Sequence, residues 1–432
     1  MGRKRKQLRL QVLLNGQQVG TLTRSASGNV AFAYTDKWLQ TTGSLPVSQS
    51  MPLRESPYQG ATVEAYFDNL LPDNDEIRRR LAERMATNSN KAVDLLAAVG
   101  RDCIGALQFI PEGEPVSPPG PIQGEVLSEQ EIGDLLRHLK TAPLGLDREK
   151  EFRISIAGVQ EKTALLYWKG RWHRPKGSTP TTHILKPAMG KLSNGIDMSA
   201  SVQNEWLCLK LAEHFGLRVA KVDIKNFGGI NCLVVERFDR LWSQNKKDIS
   251  RIPQEDLCQA LGIPWAQKYE SDGGPGIAQI MSFLNASDQR ERDRSEFMRA
   301  QLVFFLLGAI DGHAKNFSIN LLSTGFYLTP IYDVVTVWPA LVARQIEPKQ
   351  AKQAMAIGNR KHYHLGQIQR RHWEQTAKAT GFPARDLEHL LEELRERGQL
   401  MEAVVHNFNK FVPAQLITTV LIQIKKQLSK LF

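Results

Sequence analysis

The sequence predicts an α+β protein of two lobes, a β-rich N-terminal lobe and an all-helical C-terminal lobe, with a cleft between them. The stretch from Phe152 to about Val235 is rich in strand patterns and contains one helical pattern. Long helical patterns dominate beyond Pro253, and polar residues cluster where the two regions meet. A β-rich segment followed by a helical one, with polar residues at the seam, is typical of two lobes around a ligand site.

Composition limits the class of protein. Of the 432 residues, 42% are hydrophobic and 23% charged, an ordinary balance for a globular chain of two or three domains. There is no apolar run of about 18 residues, and the N-terminus shows no signal-peptide pattern, so we expect a cytoplasmic protein without a membrane partner. The four cysteines lie far apart in apolar surroundings, which predicts buried free thiols. The net charge of +11 favours a polyanionic partner but leaves nucleic acid, nucleotide and acidic protein open.

The first region, 1–112, is predicted to be an N-terminal α/β subdomain. In "DNLLPDNDEIRRRLAERM" either Asp73 or Asn74 can cap a helix, and the acids that follow suit the positive end of its dipole. A second short helix ends at Gly100. The proline- and glycine-rich stretch Pro111–Glu125 predicts a linker, so we expect 113–150 to hold a linker and a helix.

The main β-rich region is 151–238, and 239–432 is the predicted, mainly helical C-terminal lobe. Its strand patterns include a hairpin that turns at Lys169 and Gly170 and a strand that ends at Lys186. A helix is predicted from about Ser201 to Phe215.

The stretch "FRISIAGVQEKTALL" begins with a strand-like alternation that stops at Ala157 and Gly158. With one glycine it lacks both the dinucleotide fingerprint and the ending of a P-loop. Taken alone it is therefore either a bulge in a hairpin or a loop whose backbone faces a phosphate.

A lysine follows at the end of the apolar strand "HILK". Lys186 either reaches out to water or points into the cleft, where it has the place of the strand lysine that holds ATP phosphates in kinases. Such a lysine needs an acid, and Glu205 is the nearest candidate, although it is equally suited to the helix dipole.

The segment "LLGAIDGHAKNFSINLL" carries Asp311 and, five positions later, Asn316. Kinase catalytic loops place a base aspartate and a metal-binding asparagine at this separation. A turn stabilised by Asp and Asn side chains is the alternative. Asp333 follows at a strand end, in the place of a second metal ligand, and Mg²⁺ prefers such oxygen ligands.

The strand "CLVVERFDR" lies between the β-rich and helical parts, where kinases have the hinge that pairs adenine. It is otherwise simply the last strand of a sheet. Loop, lysine, Asp/Asn pair and final Asp in this order predict an ATP-dependent phosphotransferase.

At this point the sequence resembles the HipA-type toxin kinases of bacterial type II toxin-antitoxin systems. The resemblance rests on "FRISIAGVQEKTALL", "HILKPA", "VVERFDR", "IPQEDLCQALG", "DGHAKNFSI", "YDVV" and the N-terminal "SMPLRESPYQGATVEAYFDNLLPDNDEIRRRL". It implies a two-lobed protein-kinase-like fold, a HipB-type helix-turn-helix antitoxin as partner, and operator DNA bound by the complex. It also implies a cytoplasmic protein that is nucleoid-associated when bound to antitoxin.

The resemblance further assigns roles, with ATP and Mg²⁺ as cofactors. Asp311 is the implied catalytic base, and Asn316 and Asp333 are the implied Mg²⁺ ligands. The implied nucleotide-binding residues are Ala157, Gly158, Val159, Gln160, Glu161, Lys162, Lys186, Glu236, Arg237, Phe238, His313, Ala314, Lys315, Asn316, Tyr332 and Asp333.

Ser155 matches the serine that is autophosphorylated in the family, which inactivates the kinase by expelling the loop. The substrate of well-studied members is a glutamyl-tRNA synthetase, whose phosphorylation causes growth arrest and persistence. Two other functions stay open, a small-molecule phosphotransferase and a catalytically silent co-repressor.

Basic residues cluster in the C-terminal third, among them Arg370, Arg371 and Lys378. They are compatible with contacts to DNA phosphates beside an antitoxin. A solvated helix face explains them as well.

Overall fold

The N-terminal subdomain is built on an antiparallel sheet. The computed structural model describes residues 7–116, 120–146 and 152–432. In the sheet the strands lie in the order β4-β3-β2-β1-β5. The strands are β1 Leu8–Leu14, β2 Gln17–Arg24, β3 Val30–Tyr34, β4 Tyr58–Gln59 and β5 Leu107–Pro111.

Of the four helices of this subdomain, three pack against the sheet and the third in chain order packs against the fourth, and together they close a core of aromatic and aliphatic side chains. They are α1 Asp36–Leu39, α2 Ala61–Asp68, α3 Asp75–Met85 and α4 Ala92–Val99. Asn74, not Asp73, caps α3, because its side chain accepts from the backbone N–H groups of Glu76 and Ile77. This leaves the carboxylate of Asp73 free for other contacts.

The second sheet is the main sheet of the N-terminal lobe, with strand order β12-β13-β9-β7-β8-β6. Helix α5 (Glu129–Arg137) and helix α6 (Ser201–His214) pack against it. Strand β6 lies inside the stretch that the sequence assigns to a linker, and it forms the edge of this sheet; 117–119 and 147–151 lie outside the described residues. Its strands are β6 Gly124–Leu127, β7 Thr163–Trp168, β8 Arg171–Pro175, β9 His183–Pro187, β12 Val222–Phe227 and β13 Ile230–Glu236. The strands β10 Gly190–Lys191 and β11 Asp197–Met198 form a separate two-stranded sheet.

The C-terminal lobe is dominated by helices, and long α9 lies at the centre of its core. The prediction of an all-helical lobe needs one correction, because short strands occur between the helices. Three of them, β16-β17-β18, pair into a sheet beside the cleft and carry residues that line it. The strands are β14 Arg240–Trp242, β15 Ile249–Arg251, β16 Gln254–Asp256, β17 Ser318–Leu321, β18 Phe326–Leu328, β19 Lys352–Ile357 and β20 His362–His364. The helices are α7 Leu257–Ala260, α8 Ile277–Phe283, α9 Arg290–Leu307, α10 Trp338–Val342, α11 Arg370–Thr380, α12 Ala384–Val405 and α13 Ala414–Leu428.

The segment Phe152–Ala157 is not a strand, although its alternation favours one. It runs extended without a ladder, and the strand begins only at Thr163. Ile154 and Ser155 are both fully buried, because one packs in the core of the N-terminal subdomain and the other hydrogen-bonds to it. The burial of Ser155 therefore extends to the face that the alternation predicts to be exposed, where Arg153 and Ala157 are partly buried.

A buried ionic cluster fastens the N-terminal subdomain to the rest of the molecule. Asp102 pairs with Arg240 at 2.9 Å, with Arg251 at 3.0 Å and with Arg237 at 3.4 Å. Burial opposes ionisation of Asp102, but these arginines outweigh it and hold its pKa well below the usual range. Gly105 is required beside this cluster, since a Cβ there would lie 2.6 Å from the carbonyl oxygen of Gln254.

Two sequence predictions concern features outside the site. The four cysteines are buried and free, as predicted. In the described part of the chain, no helix has the length and apolarity needed to cross a bilayer.

Candidate active site

A deep cleft lies where both sheets and the C-terminal lobe meet. The prediction places its residues on distant parts of the chain, and most of them line this one cleft. The lining includes Ala157, Gly158, Val159, Lys162, Lys186, Glu236, Arg237, Phe238, Asp311, His313, Lys315, Asn316, Tyr332 and Asp333.

Lys186 points into the cleft from the buried middle of the sheet. Its Nζ lies 2.7 Å from Oε1 of Glu205 and 3.0 Å from Oδ1 of Asp333. Glu205 is thus a partner of the lysine rather than a free helix-dipole carboxylate. Burial lowers the pKa of Lys186, but the two carboxylates outweigh this effect and raise it above its ordinary value. The lysine is therefore charged, and its ion pairs connect strand β9 to helix α6 and to the C-terminal lobe.

Asp311 is half exposed at the mouth of the cleft, with 54% of its side chain accessible. The hydroxyl of Tyr269 donates a hydrogen bond to its Oδ1. Burial of the surrounding cleft raises the pKa of Asp311, and the bond from Tyr269 opposes that rise. His313 has Nε2 3.7 Å from the same oxygen. Burial, aided by Lys268, lowers the pKa of His313 to about 3, so its ring is neutral.

Asn316 and Asp333 fit a divalent cation that is completed by phosphate. The amide Nδ2 of Asn316 donates to the backbone oxygen of Asp333 at 3.1 Å, which leaves the amide oxygen for other contacts. Burial opposes ionisation of Asp333, yet Lys186 and Lys162 hold its pKa well below the usual range. Among the described residues no cluster of three or more His, Cys, Asp or Glu side chains could hold a metal alone. Mg²⁺ characteristically uses one or two carboxylates with phosphate and water.

The backbone of Asp333 is itself unusual. Its φ is +59°, in the left-handed region that non-glycine residues rarely adopt. Its side chain is held by Lys186 and its backbone oxygen by Asn316. Strained conformations of this kind persist where surrounding contacts fix them, which is typical of functional sites.

The loop after Ala157 is shaped around a second lysine. Nζ of Lys162 donates to the backbone oxygen of Ala157 at 2.9 Å, and burial together with Lys186 lowers its pKa to about 8. Gly158 has φ +108°, and a Cβ there would lie 2.5 Å from this Nζ. The loop therefore encloses an amine, and only glycine fits at its turn.

Three predicted nucleotide-binding residues do not line the cleft. The amide of Gln160 donates to the backbone oxygen of Pro187 at 2.9 Å, and Glu161 pairs with Arg80 at 2.7 Å. Ala314 is fully buried among apolar residues of the C-terminal lobe. These side chains are held by contacts elsewhere, so residues that are consecutive in the motif do not all face the cleft.

The stretch Glu236–Phe238 borders the cleft where the lobes join. The guanidinium of Arg237 is committed to Asp239 at 2.7 Å and to Asp102 at 3.4 Å, so this side chain belongs to the ionic cluster. The ring of Phe238 lies 5.8 Å from that of Tyr332. Tyr332 is fixed by a hydrogen bond to the backbone oxygen of Lys315 at 2.9 Å. An apolar wall thus stands beside the junction.

The N-terminal subdomain completes the cleft, which the sequence did not predict. Nζ of Lys315 donates to Oδ1 of Asn69 at 2.7 Å and pairs with Asp73 at 3.4 Å. It also pairs with Asp256 at 3.1 Å. Lys315 is therefore an anchor between the subdomain and the loop that carries Asp311.

Sequence reasoning missed several polar residues of the cleft, among them Asn69, Asp73 and Lys268, and it missed Tyr269, which contacts Asp311. Asp73 was noticed only as a helix cap. One signal was available, since "NLLPDN" and "KYESDGG" are polar, turn-rich stretches without a periodic pattern. Their position at the cleft depends on tertiary contacts that no local pattern encodes.

Ser155 lies behind the loop and is fully buried. Its Oγ donates to the backbone oxygen of Leu70 at 2.7 Å, and its N–H donates to that of Asp102 at 3.0 Å. Gly158 accepts from the N–H of Asp73 at 3.1 Å. The hydroxyl is inaccessible in this conformation, so any modification requires that this segment leaves its place.

The basic residues Arg370, Arg371 and Lys378 lie on or at the start of α11, outside the cleft lining. Arg370 is partly neutralised, since it pairs with Glu388 at 2.6 Å and with Glu374 at 2.9 Å. Arg371 donates to Nε2 of His372 at 3.2 Å.

Comparisons with known proteins match the whole architecture. The family model described as the HipA N-terminal domain matches residues 10–110, and the HipA-like C-terminal domain matches residues 154–401. Y4mE of Sinorhizobium fredii is 34% identical over 378 residues, 86% of each chain. The serine/threonine-protein kinase toxin HipA of Shewanella oneidensis is 30% identical over 346 residues, 77% of this chain and 76% of that protein.

A solved structure shows the same fold. It contains Shewanella oneidensis HipA with HipB and operator DNA, and its similarity to this chain has a TM-score of 0.78 at 24% identity. It covers 98% of this chain and 96% of that chain. The fold and the cleft therefore define a protein of the kinase-like class. Within that class the chain belongs to the HipA family, as both matched family domains and the curated relatives show.

Proposed function

We propose that this protein is a serine/threonine kinase that transfers the γ-phosphate of ATP to a protein, and that it is the toxin of a toxin-antitoxin module. The observation that supports this most is the position of Lys186 between Glu205 and Asp333, in the same cleft as Asp311 and Asn316. A strand lysine paired with a helix glutamate and a metal-site aspartate is the arrangement of active kinases. A protein that had lost catalysis would have no need to keep it.

The nucleotide is proposed to lie along the cleft from the hinge to the loop. Backbone groups of Glu236–Phe238 would pair with adenine, beside the apolar wall of Phe238 and Tyr332. Lys186 would hold the phosphates, and the loop Ala157–Lys162 would cover them. This assignment uses the loop's backbone, since its Gln160 and Glu161 side chains are held elsewhere.

Asp311 is proposed to accept the proton of the substrate hydroxyl. It is the half-exposed carboxylate at the mouth of the cleft, where a protein side chain can reach it. Asn316 and Asp333 would hold Mg²⁺, which neutralises charge on the phosphates when bound. His313 and Lys315 would shape the floor, with Lys315 acting through its anchor rather than by touching phosphate.

The test uses ATP labelled at the γ-phosphate with the wild type and Asp311→Asn, with and without a glutamyl-tRNA synthetase as candidate substrate. We expect label on a protein serine with the wild type and a loss of at least about 10³-fold in the variant, with nucleotide affinity retained. Label only on small molecules would instead support a small-molecule phosphotransferase. No transfer by the wild type would leave the co-repressor function.

We further propose that Ser155 is autophosphorylated between molecules and that its phosphate keeps the loop out of the cleft. Full burial of the hydroxyl supports this, because a phosphate of charge about −1.5 to −2 has no room beside Leu70. The modified segment would have to leave, and the loop that covers ATP would leave with it.

The proposed partners are a HipB-type antitoxin and, through it, operator DNA, with the protein cytoplasmic and nucleoid-associated in the complex. Arg370, Arg371 and Lys378 are the proposed DNA contacts. Charge reversal of Arg370 and Arg371 should lower operator affinity and flatten its salt dependence. An unchanged salt slope would remove these residues from the interface.

A further inference from the structure

Three consecutive residues, Lys268, Tyr269 and Glu270, each contact a different part of the molecule. Lys268 pairs with Asp73 of the N-terminal subdomain at 3.4 Å. The hydroxyl of Tyr269 donates to Oδ1 of Asp311. Glu270 accepts from the backbone N–H of Ala356 at 2.7 Å on β19. We call these residues the triple contact.

The triple contact is held rigidly against the loop that carries the base. The backbone oxygen of Lys268 accepts from the N–H of Ala314 at 3.3 Å, inside that loop. The ring of Tyr269 meets the ring of His313 edge-on, with centroids 4.8 Å apart. The tyrosine hydroxyl is therefore presented to Asp311 from a fixed position and not from a mobile side chain.

Asp311 needs such a partner because little else restrains its carboxylate. More than half of the side chain is exposed, and no other hydrogen bond to its carboxylate oxygens occurs among the described residues. The bond from Tyr269 occupies Oδ1 and leaves Oδ2 for an acceptor hydroxyl. A base must be within hydrogen-bond reach of the proton that it takes, so a freely rotating carboxylate would be correctly placed only part of the time.

We propose that Tyr269 is a positioning residue of the phosphoryl transfer, which fixes the base Asp311 through Oδ1 and directs Oδ2 toward the substrate hydroxyl. This inference rests on the proposed kinase function and adds a residue to it. Lys268 and Glu270 supply the position of Tyr269 from the two sides, so the N-terminal subdomain takes part in aligning the base.

The charged surroundings of Asp311 give the proposal a second consequence. Lys268 faces it from the same lobe, Asp73 from the N-terminal subdomain and Asp333 from across the cleft, while His313 and Tyr269 lie beside it. Of these, the hydroxyl of Tyr269 donates directly to the carboxylate and stabilises its charged form. Loss of the hydroxyl should therefore make Asp311 harder to ionise, and the acidic limb of the kcat profile should move to higher pH.

The experiment compares Tyr269→Phe with the wild type under saturating ATP and substrate. We expect kcat to fall on the order of 10²-fold, as for a misplaced catalytic group, with ATP affinity unchanged and the acidic limb shifted upward. Tyr167→Phe is the matched control, since Tyr167 is an exposed tyrosine on β7 that lies outside the cleft lining. It should leave kcat and the pH limb unchanged.

Three outcomes would count against the proposal. A rise of kcat in Tyr269→Phe would make the tyrosine a brake that substrate displaces, and an unchanged kcat with an unchanged pH limb would make the contact incidental. Lys268→Met keeps the hydroxyl of Tyr269, so it should lower kcat less than Tyr269→Phe does. A larger loss of kcat in Lys268→Met would also argue against a role of the hydroxyl.

A measurement without turnover separates this inference from the proposed function. The Asp311 carboxyl is titrated by ¹³C NMR in nucleotide-free, Mg²⁺-free protein, with Asp311→Asn to assign its signal. We expect a higher pKa in Tyr269→Phe than in the wild type. If the wild type phosphorylates nothing but this shift is present, the proposed function fails and the contact stands; an absent shift overturns the contact whatever the activity.

Discussion

Two loops frame the cleft, and both are anchored to the N-terminal subdomain in different ways. The loop with Asp311 is tied by the buried charge of Lys315, which pairs with Asp256 at 3.1 Å and with Asp73 at 3.4 Å. The loop that follows Ser155 is tied by neutral hydrogen bonds, of which one runs to Leu70, and by the partly exposed ion pair of Glu161 with Arg80. A buried charge that loses its partner is costly, whereas a neutral bond can be exchanged for one to water. We therefore expect the loop with Asp311 to remain in place and the loop that follows Ser155 to be able to leave the cleft.

The largest expected effect comes from breaking the charged anchor. Lys315→Met removes the cation from between Asp73 and Asp256 and leaves buried carboxylates without it. We expect the free energy of unfolding to fall by about 3–5 kcal/mol. Chemical denaturation curves followed by circular dichroism measure this loss.

The matched control for this variant is Lys225→Met. Lys225 pairs with Asp223 at 3.2 Å on an exposed strand, so its loss should change stability by less than about 0.5 kcal/mol. If both lysine variants had equally small effects, the charged anchor would not distinguish the two loops.

A pH series sharpens the comparison at a third contact with the subdomain. Glu255 of β16 is fully buried and accepts from Oγ of Ser48 at 2.5 Å and from the N–H of Gln49 at 2.8 Å. Burial raises the pKa of Glu255 to about 8, from 4.5. Because the folded-state pKa is raised, its contribution is fully present below about pH 4.5 and is lost as pH rises to about 8.

Glu255→Gln should remove this pH dependence. From pH 5 to pH 8.5 we expect the free energy of unfolding of the variant to rise relative to that of the wild type. The relative gain is at most roughly 1.4 kcal/mol for each unit of pKa shift. Urea midpoints at the two pH values measure it, with the exposed Glu64→Gln as control. Parallel pH dependence in the wild type and Glu255→Gln would show that Glu255 is not buried as a neutral acid.

The smallest stability effect is expected at the neutral anchor. Ser155→Ala removes the bond to Leu70 and should lower the free energy of unfolding by about 1 kcal/mol. Binding of Mg-ATP should be nearly unchanged, and intact-mass analysis should find no phosphate after incubation with ATP.

Ser287→Ala provides the control, because Ser287 is a buried serine whose Oγ donates to Asp293 at 2.6 Å, far along the chain from the loop. Ser287→Ala should lower the free energy of unfolding at least as much as Ser155→Ala does, and it should carry as many phosphates as the wild type. A phosphate that remains on Ser155→Ala would place the modification elsewhere.

Local patterns predicted several elements closely. The hairpin turn at Lys169 and Gly170 has positive φ at both residues, as a two-residue turn requires. The predicted helix from about Ser201 to Phe215 runs from Ser201 to His214. These elements depend on propensity, periodicity and turn chemistry within a short window, which the sequence displays directly.

Patterns failed where burial came from elsewhere in the chain. The alternation of Phe152–Ala157 favours a half-buried strand, but Ser155 on the second face is also buried, since it hydrogen-bonds to the N-terminal subdomain. The continuity of Ala157–Lys162 suggested that every member faces a ligand, yet Glu161 turns to Arg80. Strand β16 is not visible in the sequence pattern, because its partner β17 is distant along the chain.

The sequence by itself determined the family, and it indicated Lys186, Asp311, Asn316 and Asp333 as candidate site residues, because motif spacing is visible in a linear pattern. Only the tertiary structure decided that Asp73 and Tyr269 lie close to these residues and that Ser155 is fully buried. These contacts join residues that are far apart along the chain. Their free energy comes from burying charges and hydroxyls together, which depends on how the whole chain packs and leaves no local signature.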